Sequence, residues 1–388
     1  MTCRSRNVFS FRHRLVMWAF KCLQFTYRHL FRSTNLIYRI PFHGALMKLV
    51  SPKLSHDDIS VAKKRLRVDI VARQVSALHS NGITEITFYI LRVEQLGDII
   101  ACEPICHYLK KIAPTSSIVW LVKPRFAEIL KAFPLVDQVL TINSIAEGFD
   151  FCVKMRDTPE SVIVNTHFDN ILDPVTNRIL HNPCNPDITP NTYYYYGSLL
   201  QAFCLVAGLP QLTEAPTLIV SNRTTNLHMP KDYVVFHCHS ADGARDWTND
   251  KWNKLATWLM GIGMPVVELG VVKAVFSSNT LFYDFTGRRN IFDLASLIRD
   301  AHVFVGIDSS FAHVANAFHV PSAILLGRYT YFDTYFPYSG DFAHSELFKC
   351  VRAHDGQYAE SISVEAVKEV LTELMAQPRH PMVRNAAY

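Results

Sequence analysis

The sequence predicts an α/β protein made of two doubly wound domains, each a parallel sheet with helices on its faces. Short apolar runs rich in β-branched residues alternate along the chain with amphipathic segments, the pattern of strand-helix-strand units. A stretch with few large apolar residues, 210–230, separates two such series. The length of 388 residues leaves room for about two domains, and an apolar fraction of 49% is typical of ordered globular chains.

The first series has the spacing of a parallel sheet. Its strands are predicted at residues 83–93, 118–122 and 136–142, and its helices at 99–112 and 126–133. Cys102 and Cys106 lie on the first of these helices, and we expect them to pack in the core because no second ligand cluster accompanies them. Residues 169–192 are rich in Asn and Pro, which predicts a long loop, either an active-site lid or exposed surface. A helix over 193–207, begun by four tyrosines, follows it.

The second series follows the crossing between the two domains. Its strands are predicted at 233–238, 265–269 and 303–305, and its helices at 249–260, 291–300, 311–318 and 363–375. The last of these helices is amphipathic and is expected to pack back across the domains. We therefore divide the chain into an extension at 1–82, a first domain at 83–225 and a second domain at 230–388.

Residues 303–316, VFVGIDSSFAHVAN, predict a strand, a tight turn and the start of a helix. Asp308, Ser309 and Ser310 are residue types that cap helices, and apolar residues then recur with helical spacing. A helix N-terminus presents unpaired N–H groups and the positive end of the helix dipole, so it can hold a diphosphate without a cationic side chain. The alternative is an ordinary strand-to-helix turn that binds nothing.

This segment and the following NAFHVPSAILLG resemble the C-terminal signature of glycosyltransferase family 9, the ADP-heptose:lipopolysaccharide heptosyltransferases. Asp308, Ser309 and His313 match the signature, whereas Ser310 stands where the family usually has Gly. The resemblance implies the GT-B architecture, in which two Rossmann-like domains face each other across a cleft. It also implies that these four residues bind the donor.

A second resemblance concerns the segment ILRVEQLGDII, which is similar to the opening strand and S-x-L-G-D loop of the family. Asp98 falls on the Asp that is proposed in the family to act as general base on the acceptor hydroxyl. A carboxylate at a helix start stays ionised without burial, which suits this role, but the alternative is that Asp98 only caps the helix. On the acceptor side we also place Gly97, Tyr193 and Tyr194, since aromatic rings stack on sugars; for the tyrosines, packing is the alternative.

Two further loops resemble donor-side segments of the family. In ARDWTNDKW, Arg245 stands where a phosphate-binding Lys is usual, and its planar fork suits two phosphate oxygens. The loop FTGR resembles the family's L-T-G-[KR] loop beside the nucleotide base, which implies donor-binding positions for Thr286 and Gly287. No acidic residue follows Gly270, whereas heptosyltransferases often offer a Glu to the ribose there, and this leaves the nucleotide open.

Two histidines at the end of the strand at 233–238 depart from the family pattern. His237 and His239 point the same way on a strand, because side chains alternate between its faces. The family has a Pro-Gly pair where Cys238 and His239 stand. We interpret both histidines as packing or lining groups.

Together the resemblances predict an inverting, metal-independent glycosyltransferase. It would move a heptose or related sugar from a nucleotide diphosphate donor, preferably ADP-linked, to a lipopolysaccharide-core or other glycan hydroxyl. No cofactor beyond this co-substrate, no metal and no nucleic-acid partner are expected. The alternative is a degenerate family member that binds nucleotide sugars without transfer, which Ser310 and His239 favour.

The charge of the chain is divided unevenly, which points to an anionic partner of the extension. Through Arg73 there are 15 Lys and Arg against 3 Asp and Glu, whereas the remainder has 24 against 31. On a helix, five of the basic residues form one stripe: Arg14, Lys21, Arg28, Arg32 and Arg39. No uncharged run near the stripe approaches the roughly 20 residues that cross a bilayer. This pattern is typical of a helix lying in a membrane interface.

Two other interpretations of the extension stay open: a helix packed on its own domain, and a mitochondrial presequence. The nine Cys are scattered without disulfide spacing, which indicates a reducing cytoplasm. We therefore expect a cytoplasmic protein held at the inner face of the cytoplasmic membrane.

Deleting residues 1–50 is expected to abolish sedimentation with anionic vesicles and to leave transfer to a lipid-free acceptor nearly intact. Near an anionic surface each basic residue contributes about 1 kcal/mol, and salt weakens the effect, so raising salt should release part of the full-length protein. If the full-length protein binds no vesicles, whatever their charge, the stripe is only the solvent-exposed face of a helix that packs on its own domain.

Overall fold

The strands are dominated by Val, Ile, Leu and Phe because parallel strands covered by helices bury both of their faces. The computed structural model describes residues 69–377 except 183, 221–228, 288–289, 331, 345–347 and 355. All of these residues belong to one unit, Val68–Tyr388. The predicted basic helix at 14–39 and Arg288 of the FTGR loop lie outside the described residues.

The first sheet has four parallel strands in the order β3-β2-β1-β4. They are β1 (Thr87–Leu91), β2 (Ser117–Val122), β3 (Gln138–Thr141) and β4 (Ser161–Asn165). The helices of this half are α1 (Ile70–Ser80), α2 (Leu96–Ala101), α3 (Pro104–Ile112) and α4 (Ile145–Met155), with a 3-10 helix at Pro124–Ala132. Strand β1 lies between β2 and β4 in the sheet, as the sequence predicts for a buried first strand.

The helix predicted at 99–112 is two helices, because Pro104 interrupts it. Proline has no N–H to donate to the preceding turn, and it is favoured at the first position of a helix. Pro104 accordingly opens α3, and α2 ends at Ala101. The break leaves α2 as a short helix beside the site described below.

Helix α1 packs on the first domain although it lies in the segment assigned to the extension. The backbone amides of Ile70 and Val71 donate to the Gly208 carbonyl at 2.9 and 3.3 Å. Val71 and Val75 are buried. The hydrophobic face of α1 therefore belongs to the core of the first domain.

The segment between the two sheets is more regular than its composition predicts. The loop at 169–192 contains an antiparallel hairpin, β5 (Ile171–Leu172) with β6 (Ile179–Leu180). The helix predicted at 193–207 begins as a 3-10 turn at Tyr193–Tyr196 and restarts as α5 (Leu199–Val206). The restart has a local cause, because Ser198 and Gln201 form a capping box.

The second sheet has six parallel strands in the order β12-β11-β10-β7-β8-β9. They are β7 (Val234–His237), β8 (Val266–Gly270), β9 (Phe282–Thr286), β10 (Val303–Ile307), β11 (Ser322–Leu326) and β12 (Phe348–Arg352). Its helices are α6 (Asn249–Gly261), α7 (Ile291–Arg299), α8 (Ser310–Ala317), α9 (Asp341–His344) and α10 (Val364–Met375). Of these strands, the sequence reasoning missed β9 and β12, and it implied β11 only through the resemblance of NAFHVPSAILLG to the family signature.

The strand order creates a crevice between β7 and β10. From β7 the chain proceeds outward through β8 and β9, and it then returns to the other side of β7 with β10. In open α/β sheets, ligands bind at the carboxyl ends of the strands where the order reverses in this way. The crevice is lined by the loops that begin at residues 238 and 308.

The segment that joins the two sheets is bonded to both halves. The backbone N–H of Thr217 donates to the buried Glu103 carboxylate at 2.7 Å, and the N–H of Gly340 donates to the Thr213 carbonyl at 2.6 Å. Among the described residues no helix has the length and apolar character needed to cross a bilayer.

Replacing Gly340 with Ala is expected to lower the free energy of unfolding by about 2 to 4 kcal/mol, since overpacking and a left-handed backbone both add cost. Gly340 has φ +67°, and a Cβ there would lie 2.5 Å from the Ala215 amide nitrogen. Urea unfolding measures the change. Gly261→Ala is the matched control, because a Cβ at Gly261 meets nothing within 4 Å, and it should leave stability the same or higher. Equal stability of the two variants would contradict the prediction.

Candidate active site

The N-termini of α2 and α8 meet at Gly97. A Cβ added at Gly97 would lie 3.3 Å from the Ser310 Cα and 3.4 Å from the His313 ring. Glycine thus lets the loop of the first domain approach the donor helix of the second. The acceptor-side residue Gly97 therefore touches Ser310 and His313, which the sequence assigned to the donor.

Asp98 lies in the first turn of α2, one residue beyond this contact. The N-cap of α2 is Gln95. The Asp98 carboxylate instead receives a hydrogen bond from Arg92 Nη2 at 2.5 Å, and its side chain keeps 27% exposure. The capping alternative therefore has no hydrogen bond to support it, and the carboxylate stays accessible.

Arg92 is a site residue that the sequence reasoning missed. Its side chain is 3% exposed, and its second amine, Nη1, donates to the Thr166 carbonyl at 3.1 Å. The guanidinium lies 4.0 Å from the Phe203 ring centroid, a cation–π distance. Arg92 thus holds a buried positive charge against Asp98 and restricts the orientation of its carboxylate.

Asp308 has hydrogen bonds at both carboxylate oxygens. Tyr338 donates to Oδ1 at 3.0 Å, and Tyr335 and Arg245 donate to Oδ2 at 3.0 and 3.1 Å. Only 6% of the Asp308 side chain is exposed. Asp308 therefore anchors the loop after β11 and Arg245 in this arrangement. No local sequence pattern indicates this pairing, because the two tyrosines are distant from Asp308 in the chain.

Arg245 lies at the crevice between β7 and β10, and not all of its N–H groups are hydrogen-bonded. Burial opposes its charge, but the Asp308 carboxylate together with Tyr329 and Tyr335 outweighs this effect and raises the pKa of Arg245. Its guanidinium lies 4.8 Å from the Tyr329 ring centroid. Nε of Arg245 is buried and has no hydrogen-bond partner within the described chain. One donor is therefore left for a ligand oxygen.

The N-terminus of α8 retains unpaired donor capacity. Ser309 occupies the N-cap position, but its side chain makes no hydrogen bond to the helix amides. The Ser309 hydroxyl is buried without a partner among the described residues. His313 is buried against Tyr338, with ring centroids 4.8 Å apart, and burial lowers the pKa of His313. The helix therefore offers its dipole and amides beside a neutral imidazole.

Tyr193 and Tyr194 belong to an aromatic cluster that spans both halves of the protein. Tyr193 stacks on Phe168 with centroids 4.6 Å apart, and Tyr194 lies 4.8 Å from Tyr335 and 5.1 Å from Phe332. Burial raises the pKa of both tyrosines. In this arrangement the pair packs as the alternative interpretation expects, and it adjoins the loop that holds Asp308.

Thr286 and Gly287 lie at the end of the edge strand β9. Gly287 has φ +72° and donates its N–H to the Gly270 carbonyl at 2.7 Å. The Thr286 hydroxyl donates to Asp284 at 2.6 Å, and Lys273 pairs with the same carboxylate at 2.8 Å. Asp284 is therefore an acid beside this loop that the search after Gly270 missed.

The structure also bears on the residues assigned to packing. Trp247 and Trp252 are buried edge to face with centroids 5.0 Å apart, so they join the loop to α6. Cys102 and Cys106 are buried in the core. In the part of the chain that is described, no group of three or more His, Cys, Asp or Glu side chains is placed to hold a metal ion.

Residues 200–347 match the family model described as glycosyltransferase family 9 (heptosyltransferase). The resemblance to glycosyltransferase family 9 is confirmed. The predicted enzyme class, a glycosyltransferase, is confirmed by the same match. No curated protein matches this chain in sequence.

Three solved structures show the same GT-B fold. A glycosyl transferase family 9 protein from Veillonella parvula is 15% identical, with a TM-score of 0.57 over 75% of this chain and 97% of its own. E. coli ADP-heptose lps heptosyltransferase II is 17% identical, with a TM-score of 0.54 over 75% and 98%. E. coli heptosyltransferase WaaC with ADP-2-deoxy-2-fluoro heptose is 16% identical, with a TM-score of 0.52 over 74% and 99%.

Replacing Arg245 with Ala is expected to weaken nucleoside diphosphate binding by about 1 to 3 kcal/mol, the value of a charged hydrogen bond. It also leaves the buried Asp308 without its cation, so the free energy of unfolding should fall as well. Arg245→Lys keeps the charge and should restore most of the stability but less of the affinity, because Lys lacks the planar fork. Calorimetry and urea unfolding separate the two effects. Unchanged affinity in Arg245→Ala would show that Arg245 serves Asp308 alone.

Proposed function

We propose that this glycosyltransferase is inverting and metal-independent, and that it transfers a heptose or related sugar from a nucleotide diphosphate donor to a glycan hydroxyl. Asp98 is the general base in this proposal. Arg245 and the N-terminus of α8, with Ser309 and Ser310, hold the diphosphate. The observation that carries the proposal is the contact at Gly97, because it sets the Asp98 loop directly against the donor helix.

The geometry suits a single displacement. Asp98 keeps an accessible carboxylate on a helix start, where it is able to accept the proton of an attacking hydroxyl. As the bond between the sugar and the diphosphate breaks, negative charge grows on the departing phosphate. The α8 dipole and the Arg245 cation stabilise that charge where it develops. Inversion in one step requires a base at the attacking hydroxyl and positive groups at the departing phosphate, and the proposal gives these roles to Asp98 and to Arg245 with α8.

The names of two relatives support a choice of donor and acceptor. WaaC is described with ADP-2-deoxy-2-fluoro heptose, and the second E. coli relative is an ADP-heptose lps heptosyltransferase. We propose an ADP-linked donor and a lipopolysaccharide-core or other lipid-linked acceptor, with Thr286 and Gly287 beside the base and Tyr193 and Tyr194 on the acceptor side. The basic extension would hold the enzyme at the inner face of the cytoplasmic membrane.

Two observations favour the alternative, a nucleotide-sugar-binding protein without transfer. Asp308 is fully engaged by Arg245 and the two tyrosines, and Ser310 adds a side chain where the family usually has Gly. Binding of a donor without any turnover would support this alternative. Mass spectrometry of the nucleotide sugars retained by the purified protein would identify the donor for both cases.

Replacing Asp98 with Asn is expected to reduce turnover at least 100-fold, the usual contribution of a general base, while donor affinity stays nearly unchanged. Asn still accepts the hydrogen bond from Arg92, so the fold should survive. Release of nucleoside diphosphate in the presence of acceptor measures turnover, and calorimetry measures affinity. Asp150→Asn is the control, since Asp150 is an exposed partner of Arg178. An Asp98→Asn enzyme with more than about a tenth of wild-type turnover would rule out Asp98 as the base.

A further inference from the structure

A cavity of about 290 Å³ lies where the two halves of the protein join, and we call it the junction cavity. Three segments contribute to its lining: residues 194–201 at the start of α5, Thr213 of the segment between the sheets, and residues 336–344 up to the end of α9. Among the described residues that line it, neither Asp98 nor Arg245 is present. The junction cavity is therefore a different place from the proposed transfer site.

Hydrogen bonds between the three segments hold the walls of the junction cavity. The backbone N–H of Leu199 donates to the Pro337 carbonyl at 3.1 Å, which joins the start of α5 to the third segment. The N–H of Gly340 donates to the Thr213 carbonyl at 2.6 Å, which joins the third segment to the second. A ligand that enters a site with ordered walls pays less conformational entropy on binding. The cavity is thus preformed in the way that small-molecule sites usually are.

Aromatic rings form one part of the lining. Tyr194, Phe336 and Tyr338 line the junction cavity, and the rings of Phe336 and Tyr338 meet edge to face with centroids 5.6 Å apart. The hydroxyl of Tyr338 donates to Asp308 at 3.0 Å, so Tyr338 offers the cavity its ring. An aromatic ring gives a large apolar surface, against which the C–H groups of a sugar ring can pack.

Uncharged polar side chains form another part of the lining. The Gln201 amide accepts the Ser198 N–H at 3.0 Å through its oxygen, and its Nε2 amine has no partner within the described residues. The Thr213 hydroxyl has none there either. The Ser339 hydroxyl donates to the Glu214 carbonyl at 2.8 Å, and its lone pairs remain able to accept. These side chains can therefore both donate to and accept from the hydroxyl groups of a ligand.

The lining carries no fixed charge. Among the described residues that line the junction cavity, none is Asp, Glu, Lys or Arg, and the one imidazole, that of His344, is exposed. Taking a phosphate or a carboxylate out of water without a partner is costly. The cavity is therefore suited to a neutral ligand, in contrast to the crevice that holds Arg245.

We propose that the junction cavity binds one neutral sugar ring. Its volume is at the lower end of the range of about 300 to 1,000 Å³ that is typical of ligand sites, which leaves room for a single ring. The aromatic side chains contact the C–H face of the sugar, and Gln201, Thr213 and Ser339 bond its hydroxyls. The sugar is a free monosaccharide or one residue of a glycan chain. The inference goes beyond the proposed function and does not depend on it.

Saturation-transfer NMR of the full chain tests the proposal, because it detects weakly bound sugars. The probes are D-glucose, D-galactose and D-mannose, the methyl glycoside of each, and D-glucuronate. At least one neutral sugar should receive saturation, and glucuronate should receive much less than glucose, since its carboxylate finds no cation in the cavity. A methyl glycoside that binds as well as its parent sugar indicates a residue of a glycan chain, whereas binding of the parent alone indicates a free monosaccharide.

Two variants assign the signal to the junction cavity. Ala343→Trp should abolish it, because Ala343 lines the cavity and is exposed, so the indole fills the mouth of the cavity without entering the core. Ala77→Trp is the matched control, since Ala77 is exposed on α1 and does not line the cavity. Thr213→Val removes one hydroxyl at constant shape and should weaken binding about two- to tenfold, the effect of one neutral hydrogen bond. It serves as the test if Ala343→Trp does not fold.

The outcomes separate this inference from the proposed function. The inference is wrong, even if transfer is normal, when no neutral probe receives saturation, when Ala343→Trp and Thr213→Val keep the wild-type signal, or when glucuronate binds as strongly as glucose. A signal that Ala343→Trp loses and Ala77→Trp keeps would support the inference. The same signal in a protein without transferase activity would support the inference and refute the catalytic proposal.

Discussion

The close approach of α2 and α8 at Gly97 is the constraint on which the rest of the site depends. The N-terminal turns of the two helices lie against each other there, and a Cβ at Gly97 would lie only 3.3 Å from the Ser310 Cα and 3.4 Å from the His313 ring. Helix N-termini carry partial positive charge, so two of them together create a region that favours anions. A carboxylate, a diphosphate or both satisfy that region. The same contact sets the distance between the proposed base and the proposed donor site.

Two arginine–carboxylate pairs balance the charge on either side of this contact. Arg92 pairs with Asp98 in the first domain, and Arg245 pairs with Asp308 in the second. Taking such charges out of water costs several kcal/mol per ion unless further hydrogen bonds satisfy them. The Thr166 carbonyl and the hydroxyls of two tyrosines supply those bonds. The two carboxylates differ in how accessible they are. The Asp98 carboxylate stays accessible, whereas both oxygens of Asp308 accept hydrogen bonds, so Asp308 serves as an anchor.

Two departures from the family pattern add side chains at the crevice. Ser310 adds bulk at the first residue of α8, next to Gly97. His239 adds an imidazole shortly after β7, where the family has Gly, and this imidazole pairs with Asp246 at 2.9 Å. The aromatic cluster of Tyr193 and Tyr194 with the loop after β11 then links donor and acceptor sides, because it draws rings from both halves.

Local patterns in the sequence were sufficient for the two α/β series and the start of α8, because periodicity and capping act over a few residues. The resemblance to the family singled out Asp98 and Arg245. The same reasoning failed for short elements. It predicted one helix where Pro104 separates two, and it predicted a loop where β5 and β6 form a hairpin. Only the tertiary structure paired Asp308 with Tyr335 and Tyr338 and packed α1 on the first domain. Such contacts join residues far apart in the chain. The spacing of residues along the chain does not determine which distant side chain a buried charge will contact.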